Sequence, residues 1–195
     1  ILNQYKKYPI LIFDQATKDN SELISKNLNA EFEYFYSEKN LGLCKSTNFL
    51  ISKVKTKYFL FTQADIKIDE SSISNLIKGM NLRNDVIFAG PVFNTKNDIE
   101  KKGEIDKNYE LKSNLDASLM ICDIDKVKQI GFFDEDFFLY WEDKDLMQRV
   151  NQSNFKMIQQ NNAYAIHNSS KSSSNNIYTM LIRRINFKYG EYLFE

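Results

Sequence analysis

Short apolar runs separated by helix-like stretches constrain this chain more than any other feature. Ile10-Leu-Ile-Phe13, Phe32-Glu-Tyr-Phe35, Tyr58-Phe-Leu-Phe61, Val86-Ile-Phe-Ala89 and Ser118-Leu-Met-Ile-Cys122 are rich in β-branched and aromatic side chains, and each has the length of a buried strand. Phe155 to Ile158 and Ala163 to Ile166 are weaker strand candidates. Between the runs, Ser21–Asn27 follows a capping site at Asp19-Asn20. Ser46–Val54 carries Phe49, Leu50 and Val54. Ser71–Met80 places Ile73, Leu76, Ile77 and Met80 on one helical stripe. Strands alternating with helices predict an α/β fold with a mostly parallel sheet flanked by helices.

The chain of 195 residues is long enough for one domain with a real core. Residues 1–168 read as that domain. Residues 169–195 read as a serine-rich loop followed by a terminal helix over Ile177–Tyr192. Arg183, Arg184 and Lys188 give this helix a basic face, which suits a membrane surface, packing on the domain or a contact with a second copy. Asn94 to Asn114 is polar and reads as a long loop. Lysine plus arginine equal aspartate plus glutamate, 26 against 26, so the broad basic field of a nucleic-acid partner is missing. Cys44 and Cys122 form no CxxC pair and read as reduced, partly buried thiols, with a disulfide between them as the alternative. No apolar run reaches the ~18 residues of a membrane helix, and no signal-peptide pattern opens the chain. The expected location is therefore the cytoplasm, at the inner membrane face if the terminal helix binds there.

In an open α/β sheet, ligands bind beyond the carboxyl ends of the strands. Asp14, Asp65 and His167, the single histidine, stand at such ends. Each alone has a structural reading: a cap, a turn residue and a satisfied imidazole. Together they mark a candidate site. The acidic block Trp141-Glu142-Asp143-Lys144-Asp145 is a fourth feature. Asp143, Leu146, Met147 and Val150 are spaced i, i+3, i+4, i+7, so Asp143 shares the apolar side of a helix and is expected to face inward. At a helix N-terminus such a carboxylate can accept a proton from a bound hydroxyl. Asp145 and Arg149 are spaced i, i+4, as a surface ion pair would be.

The segment Gly131-Phe-Phe-Asp-Glu-Asp-Phe-Phe-Leu-Tyr-Trp-Glu-Asp-Lys-Asp-Leu-Met-Gln-Arg149 closely resembles the GxFDExFFxYxEDxDLxxR segment of family 2 glycosyltransferases, especially their rhamnosyltransferase-like branch. Asp14-Gln-Ala-Thr-Lys-Asp-Asn-Ser21 is similar to the family's loop after its strand. Asn40-Leu-Gly-Leu-Cys-Lys-Ser-Thr-Asn48 resembles its loop-to-helix segment. Thr62-Gln-Ala-Asp-Ile66 occupies the place of its Asp-Xaa-Asp motif. The resemblance spans residues 10–167, with the segments in family order.

The resemblance implies a GT-A fold, related to the Rossmann fold, and inverting transfer of a sugar from a UDP- or dTDP-linked donor to a glycan or lipid-linked acceptor in polysaccharide synthesis. It implies that Asp14, Thr17, Gly42, Asn48 and Ala64 line the nucleotide site. Asp65 and His167 would hold Mg²⁺ or Mn²⁺. Asp143 would act as general base, with Glu142 beside it. Two departures stand out. Gln63 replaces the first carboxylate of the Asp-Xaa-Asp motif, which removes one anionic metal ligand. The chain also opens near the end of the helix that follows the family's first strand, so that strand is expected to be missing from the sheet. A relative that binds nucleotide or glycan without turnover, and a calcium-binding interaction module, are the alternatives.

Overall fold

A computed structural model of the chain describes residue 5 and residues 7–17, 31–93, 108–167 and 177–195. In chain order the elements are β1 (Ile10–Gln15), β2 (Phe32–Ser37), α1 (Leu43–Lys53), β3 (Tyr58–Thr62), β4 (Ile66–Ile68), α2 (Glu70–Met80), β5 (Val86–Phe93), β6 (Tyr109–Lys112), β7 (Leu119–Asp123), α3 (Ile124–Ile130), α4 (Glu142–Asn151), β8 (Lys156–His167) and α5 (Ile177–Phe194). The helix expected over Ser21–Asn27 and the serine-rich loop before α5 lie outside the described residues.

The apolar runs become strands as read, and the α/β class stands. The pairing differs from the expected parallel predominance. β1–β2 and β5–β8 are parallel, whereas β3–β7, β5–β7, β4–β8 and β6–β8 are antiparallel. Apolar runs report burial and leave direction open. Direction depends on connections, and the three residues Gln63–Asp65 between β3 and β4 are far too few for a parallel crossover. The expected loop at 94–114 likewise contains β6, which pairs with β8. The two weak strand candidates at 155–166 are one strand. Its register against β5 jumps where Pro91 faces Gln160 and Val92 faces Tyr164; Pro91 has no N–H to continue the ladder.

β1 and β2 form a two-stranded sheet, and the other six strands form a second sheet ordered β3-β7-β5-β8-β4, with β6 also on β8. All five residues of β7 are buried, because both faces of this sheet are covered. Met120 and Cys122 face a cluster with Val127 of α3 and Leu146, Met147 and Val150 of α4. Leu119 and Ile121 face the other way, toward Ile73, Leu76 and Met80 of α2. Local chemistry starts two of these helices: Asp69 accepts from the Ser72 amide at 2.7 Å, and Asp123 accepts from the amides of Asp125 and Lys126. β3, β5 and β8 run in the same direction, so their carboxyl ends share one rim.

Candidate active site

That rim carries the first group of residues. After β3 the chain turns, with Ile66 N–H donating to the Gln63 carbonyl, and Asp65 sits in the turn beside exposed Ala64. His167 ends β8, where it is the register partner of Ile66. The pairing of β4 with β8 therefore brings Asp65 and His167 together across a hundred residues, with Asp65 Oδ2 and His167 Nε2 3.4 Å apart. Both side chains remain partly exposed, at 17% and 30%. Phe93, at the end of β5, stands beside the imidazole, with ring centroids 6.3 Å apart. Among the described residues no three His, Cys, Asp or Glu side chains converge to hold a metal unaided. A divalent ion on Asp65 and His167 would need its remaining ligands from a diphosphate and water. This is the usual way Mg²⁺ is held in phosphate sites.

The second group is stitched together by hydrogen bonds between the other motifs. Asp14, buried at the end of β1, accepts from the Thr17 amide at 3.0 Å, from the Thr17 hydroxyl and from the Tyr34 hydroxyl. Gln15 accepts from the Leu41 amide at 2.8 Å, which ties this loop to the approach to α1. At Gly42 the backbone has φ 85°, and a Cβ there would meet the Phe138 ring and carbonyl at 2.8 Å. The missing side chain expected to admit a nucleotide thus admits Phe138, whose carbonyl accepts from the Leu43 amide at 3.0 Å. Asn48 bridges to the same acidic-aromatic segment. It donates to the Phe133 carbonyl at 2.8 Å and to Glu135, and it accepts from the Phe133 amide at 3.3 Å. Its amide braces α1 against that segment.

Arg149 fastens the segment from the other side. It pairs with Asp145, the i, i+4 contact read from the sequence, and also donates to the carbonyls of Ile130, Gly131 and Phe132. The segment then enters α4 through Tyr140 and Trp141, both at φ 72°. With Ala16 at φ 59°, these are the positive-φ residues other than glycine among the described residues, and all three fall in the motif segments. Each such conformation costs roughly 1–3 kcal/mol, and such strain clusters at functional sites. The turn is held from outside by α5. Gly190 packs so closely that a Cβ would lie 2.9 Å from both the Tyr140 carbonyl and the Trp141 ring. Phe187 and Phe194 flank the indole.

The turn delivers two adjacent carboxylates in different settings. The spacing predicts Asp143 as the inward one, but Glu142 is buried with Leu146, Met147 and Val150, while Asp143 is half-buried. Asp143 does lie on the apolar side of the helix. It sits in the first turn, however, and burial there falls on its neighbour. Asp143 accepts from the Lys144 amide at 2.9 Å. Burial pushes the Glu142 carboxyl up to about 7, and the Asp143 charge adds to this against backbone hydrogen bonds. Among the described residues, buried Glu142 Oε2 and Trp141 Nε1 have no hydrogen-bond partner. Cys44 and Cys122 are free and buried. Burial, and next the Glu142 charge, raise the Cys44 thiol well above its usual range. Shallow recesses of about 250 and 400 Å³ lie between α4 and Phe194, away from Asp65 and His167. Positive φ at Tyr140 and Trp141, the bonds from Arg149 to the carbonyls of Ile130, Gly131 and Phe132, and the contacts of Asn48 with Phe133 and Glu135 carry no residue-type signal that could reveal them in a sequence.

Residues 1–125 match the family described as glycosyl transferase family 2. No curated protein matches the chain. Among solved structures, GalNAc-T7 with UDP, GalNAc and Mn²⁺ is 12% identical with a TM-score of 0.69, over 87% of this chain and 39% of that one. The mannosyltransferase PcManGT of Pyrobaculum calidifontis, in complex with GDP-Man and Mn²⁺, is 11% identical with a TM-score of 0.66, over 89% and 50%. TarS 1–349 of S. aureus with UDP is 12% identical with a TM-score of 0.59, over 84% and 52%. At these identities the likeness shows the shared GT-A fold. The chain spans between 39% and 52% of the length of these structures.

Proposed function

This chain belongs to glycosyl transferase family 2, and from that premise we propose that it transfers a sugar from a UDP- or dTDP-linked donor to the hydroxyl of a glycan or lipid-linked acceptor, with inversion, in polysaccharide synthesis. The observation that carries the reading is the strained turn Tyr140–Trp141, which presents Asp143 half-open while Glu142 is buried beside it. In the transfer, the acceptor oxygen bonds to the anomeric carbon. The bond from that carbon to the diphosphate breaks, and its electron pair leaves with the nucleoside diphosphate. The hydroxyl proton passes to Asp143, the general base. Glu142 shapes the position and charge of its neighbour.

Asp14 accepts from the base of the nucleotide, with Thr17 holding its carboxylate in place. Ala64, exposed and without a bulky side chain, lets the diphosphate lie along the turn. Gly42 and Asn48 serve the site by fixing α1 on the acidic-aromatic segment. Asp65 and His167 would hold the divalent ion. One carboxylate oxygen and one imidazole nitrogen suit Mn²⁺ well and Mg²⁺ adequately. Such an ion supplies neutralisation of the departing diphosphate. Two structural neighbours are complexes with Mn²⁺, which supports a divalent ion as such. Calorimetry with UDP, dTDP and GDP, with and without Mn²⁺, tests it. Nucleotide binding is expected to depend on the ion and to weaken by about tenfold or more in Asp65→Ala. Binding that ignores the ion, or an unchanged metal titration in Asp65→Ala, rejects the metal site.

A further inference from the structure

The carboxyl ends of β1 and β2 carry a hydrogen-bonded group of which the proposed reaction uses only a part. Asp14 is the register partner of Tyr36 across this parallel pair, and Ile12 is that of Tyr34. Side chains alternate along a strand, so Asp14 and Tyr34 share one face of the two-stranded sheet. There the Tyr34 hydroxyl donates to Asp14 Oδ2. Directly after β1 the chain turns at Ala16, which has φ 59° and donates its amide to the Ser37 carbonyl at 2.8 Å. The turn folds Thr17 back onto the strand end. Its amide donates to Asp14 Oδ1 at 3.0 Å, and its hydroxyl stands 2.6 Å from both carboxylate oxygens. The buried Asp14 carboxylate is thus held twice, by Thr17 from its own loop and by Tyr34 from the neighbouring strand.

We propose that Tyr34 is a specificity-determining residue, which limits Asp14 to one N–H of a bound base and so selects uracil or thymine over guanine. The inference rests on the reading of Asp14 as the acceptor for the base. A carboxylate has about four acceptor positions. Three donors of the chain, the Thr17 amide, the Thr17 hydroxyl and the Tyr34 hydroxyl, already stand on this one. No more than one position is left for a ligand. Uracil and thymine need one, because their pairing edge offers a single N–H between two carbonyl oxygens. Guanine offers two adjacent donors, its ring N–H and its amino group, which match a carboxylate with both oxygens open. With Tyr34 on Oδ2, the second guanine donor meets an oxygen that is already occupied. A buried donor without an acceptor is what such a site rejects most strongly. The phenol also keeps Oδ2 from facing a uracil carbonyl as one bare acceptor against another. Discrimination of this kind comes from what is made unfavourable for the wrong base. Thr17 contributes from its side, since its hydroxyl takes up another acceptor position of the same carboxylate.

Calorimetry of the full chain with UDP, dTDP and GDP, each in the presence of Mn²⁺, tests this without any glycosyl transfer. The wild-type chain is expected to bind UDP and dTDP at least about tenfold more tightly than GDP. Tyr34→Phe should shrink that ratio by about tenfold, chiefly because GDP binds more tightly once Oδ2 is opened. Thr17→Val removes the other side-chain donor and should shift the ratio the same way, so the test does not depend on one variant folding. A merely structural bond between β1 and β2 would behave differently. Its loss would lower the melting temperature and weaken all three nucleotides together, with their ratio unchanged. An unchanged ratio in both variants therefore overturns the proposal, as does a wild-type chain that binds GDP as tightly as UDP. Asp14→Ala separates this failure from that of the underlying reading. If UDP binding survives Asp14→Ala, Asp14 does not hold the base and both ideas fall. If Asp14→Ala loses UDP binding while Tyr34→Phe and Thr17→Val keep the ratio, the base site stands and only the role of Tyr34 is struck.

Discussion

The start of α4 and the Asp65–His167 rim carry the two halves of the proposed chemistry, and they are built in opposite ways. The α4 end is determined from every side. Asn48 and Arg149 hold the segment that leads into it, Gly42 seats α1 against Phe138, and Gly190 of α5 presses on Tyr140 and Trp141. Two non-glycine residues persist there at positive φ. The rim has two partly exposed side chains, Asp65 and His167, 3.4 Å apart, and as a proposed metal site it would leave further coordination to whatever binds. The difference teaches a division of labour. A proton acceptor must be in position before the reaction, so the fold fixes it. In the proposed reaction a donor-dependent ion would arrive with its diphosphate, so two protein ligands would suffice.

The comparison breaks first at Asp143. Asp143→Asn is expected to lower kcat by about 10²–10⁴-fold, or about 3–5 kcal/mol in the barrier. Metal-dependent donor binding and melting temperature should stay at wild-type values, since its carboxylate accepts from the adjacent Lys144 amide, a bond that an asparagine oxygen also accepts. Steady-state kinetics beside calorimetry on the same preparation reads this. If Asp143→Asn keeps its turnover and Glu142→Gln loses it, the roles of the two carboxylates are exchanged.

The Glu142 environment sharpens the comparison through pH. Burial raises it to about 7, above its ordinary value of 4.5. Between these values the folded state binds the extra proton, so stability falls as pH rises through the window. The stabilisation is present below about 4.5 and lost above about 7, a change of up to about 3 kcal/mol. Glu142→Gln should remove this part of the slope and be more stable than wild type above pH 7. Urea melts of both proteins at pH 5 and pH 8 measure it. Parallel curves for the two proteins would mean that Glu142 is solvated and that the α4 end is less closed than its packing indicates.

Much of this was legible in the sequence because strands and one-sided helices report burial directly. The β7 run and the α2 stripe did so, and the acidic-aromatic segment identified its own helix. The rest depends on partners distant in the chain. Whether Glu142 or Asp143 is covered depends on the segments packed around the first turn, a matter that periodicity within α4 cannot address. Asp65 and His167 meet through β4, a three-residue strand too short to leave a pattern. α3 begins at Asp123 directly from β7, with no intervening turn residues to announce it. Strand direction escaped for the same reason, since apolar content is the same whichever way a strand runs.

Asn48 gives the smallest effect and the finest discrimination. A family motif places it in the nucleotide site, while the structure employs its amide on Phe133 and Glu135. Asn48→Ala leaves the Phe133 amide without its side-chain acceptor and removes two donated bonds, which should cost about 1–2 kcal/mol of stability. Loosening the approach to Tyr140 should also lower kcat, by less than Asp143→Asn does, because the base itself remains. Donor affinity in the metal titration should stay unchanged, for the rim lies on other strands. A brace therefore lowers the melting temperature and spares the dissociation constant. A nucleotide ligand would do the reverse, weakening donor binding at constant melting temperature, and that result would move Asn48 from the built side of the comparison to the ligand-completed side.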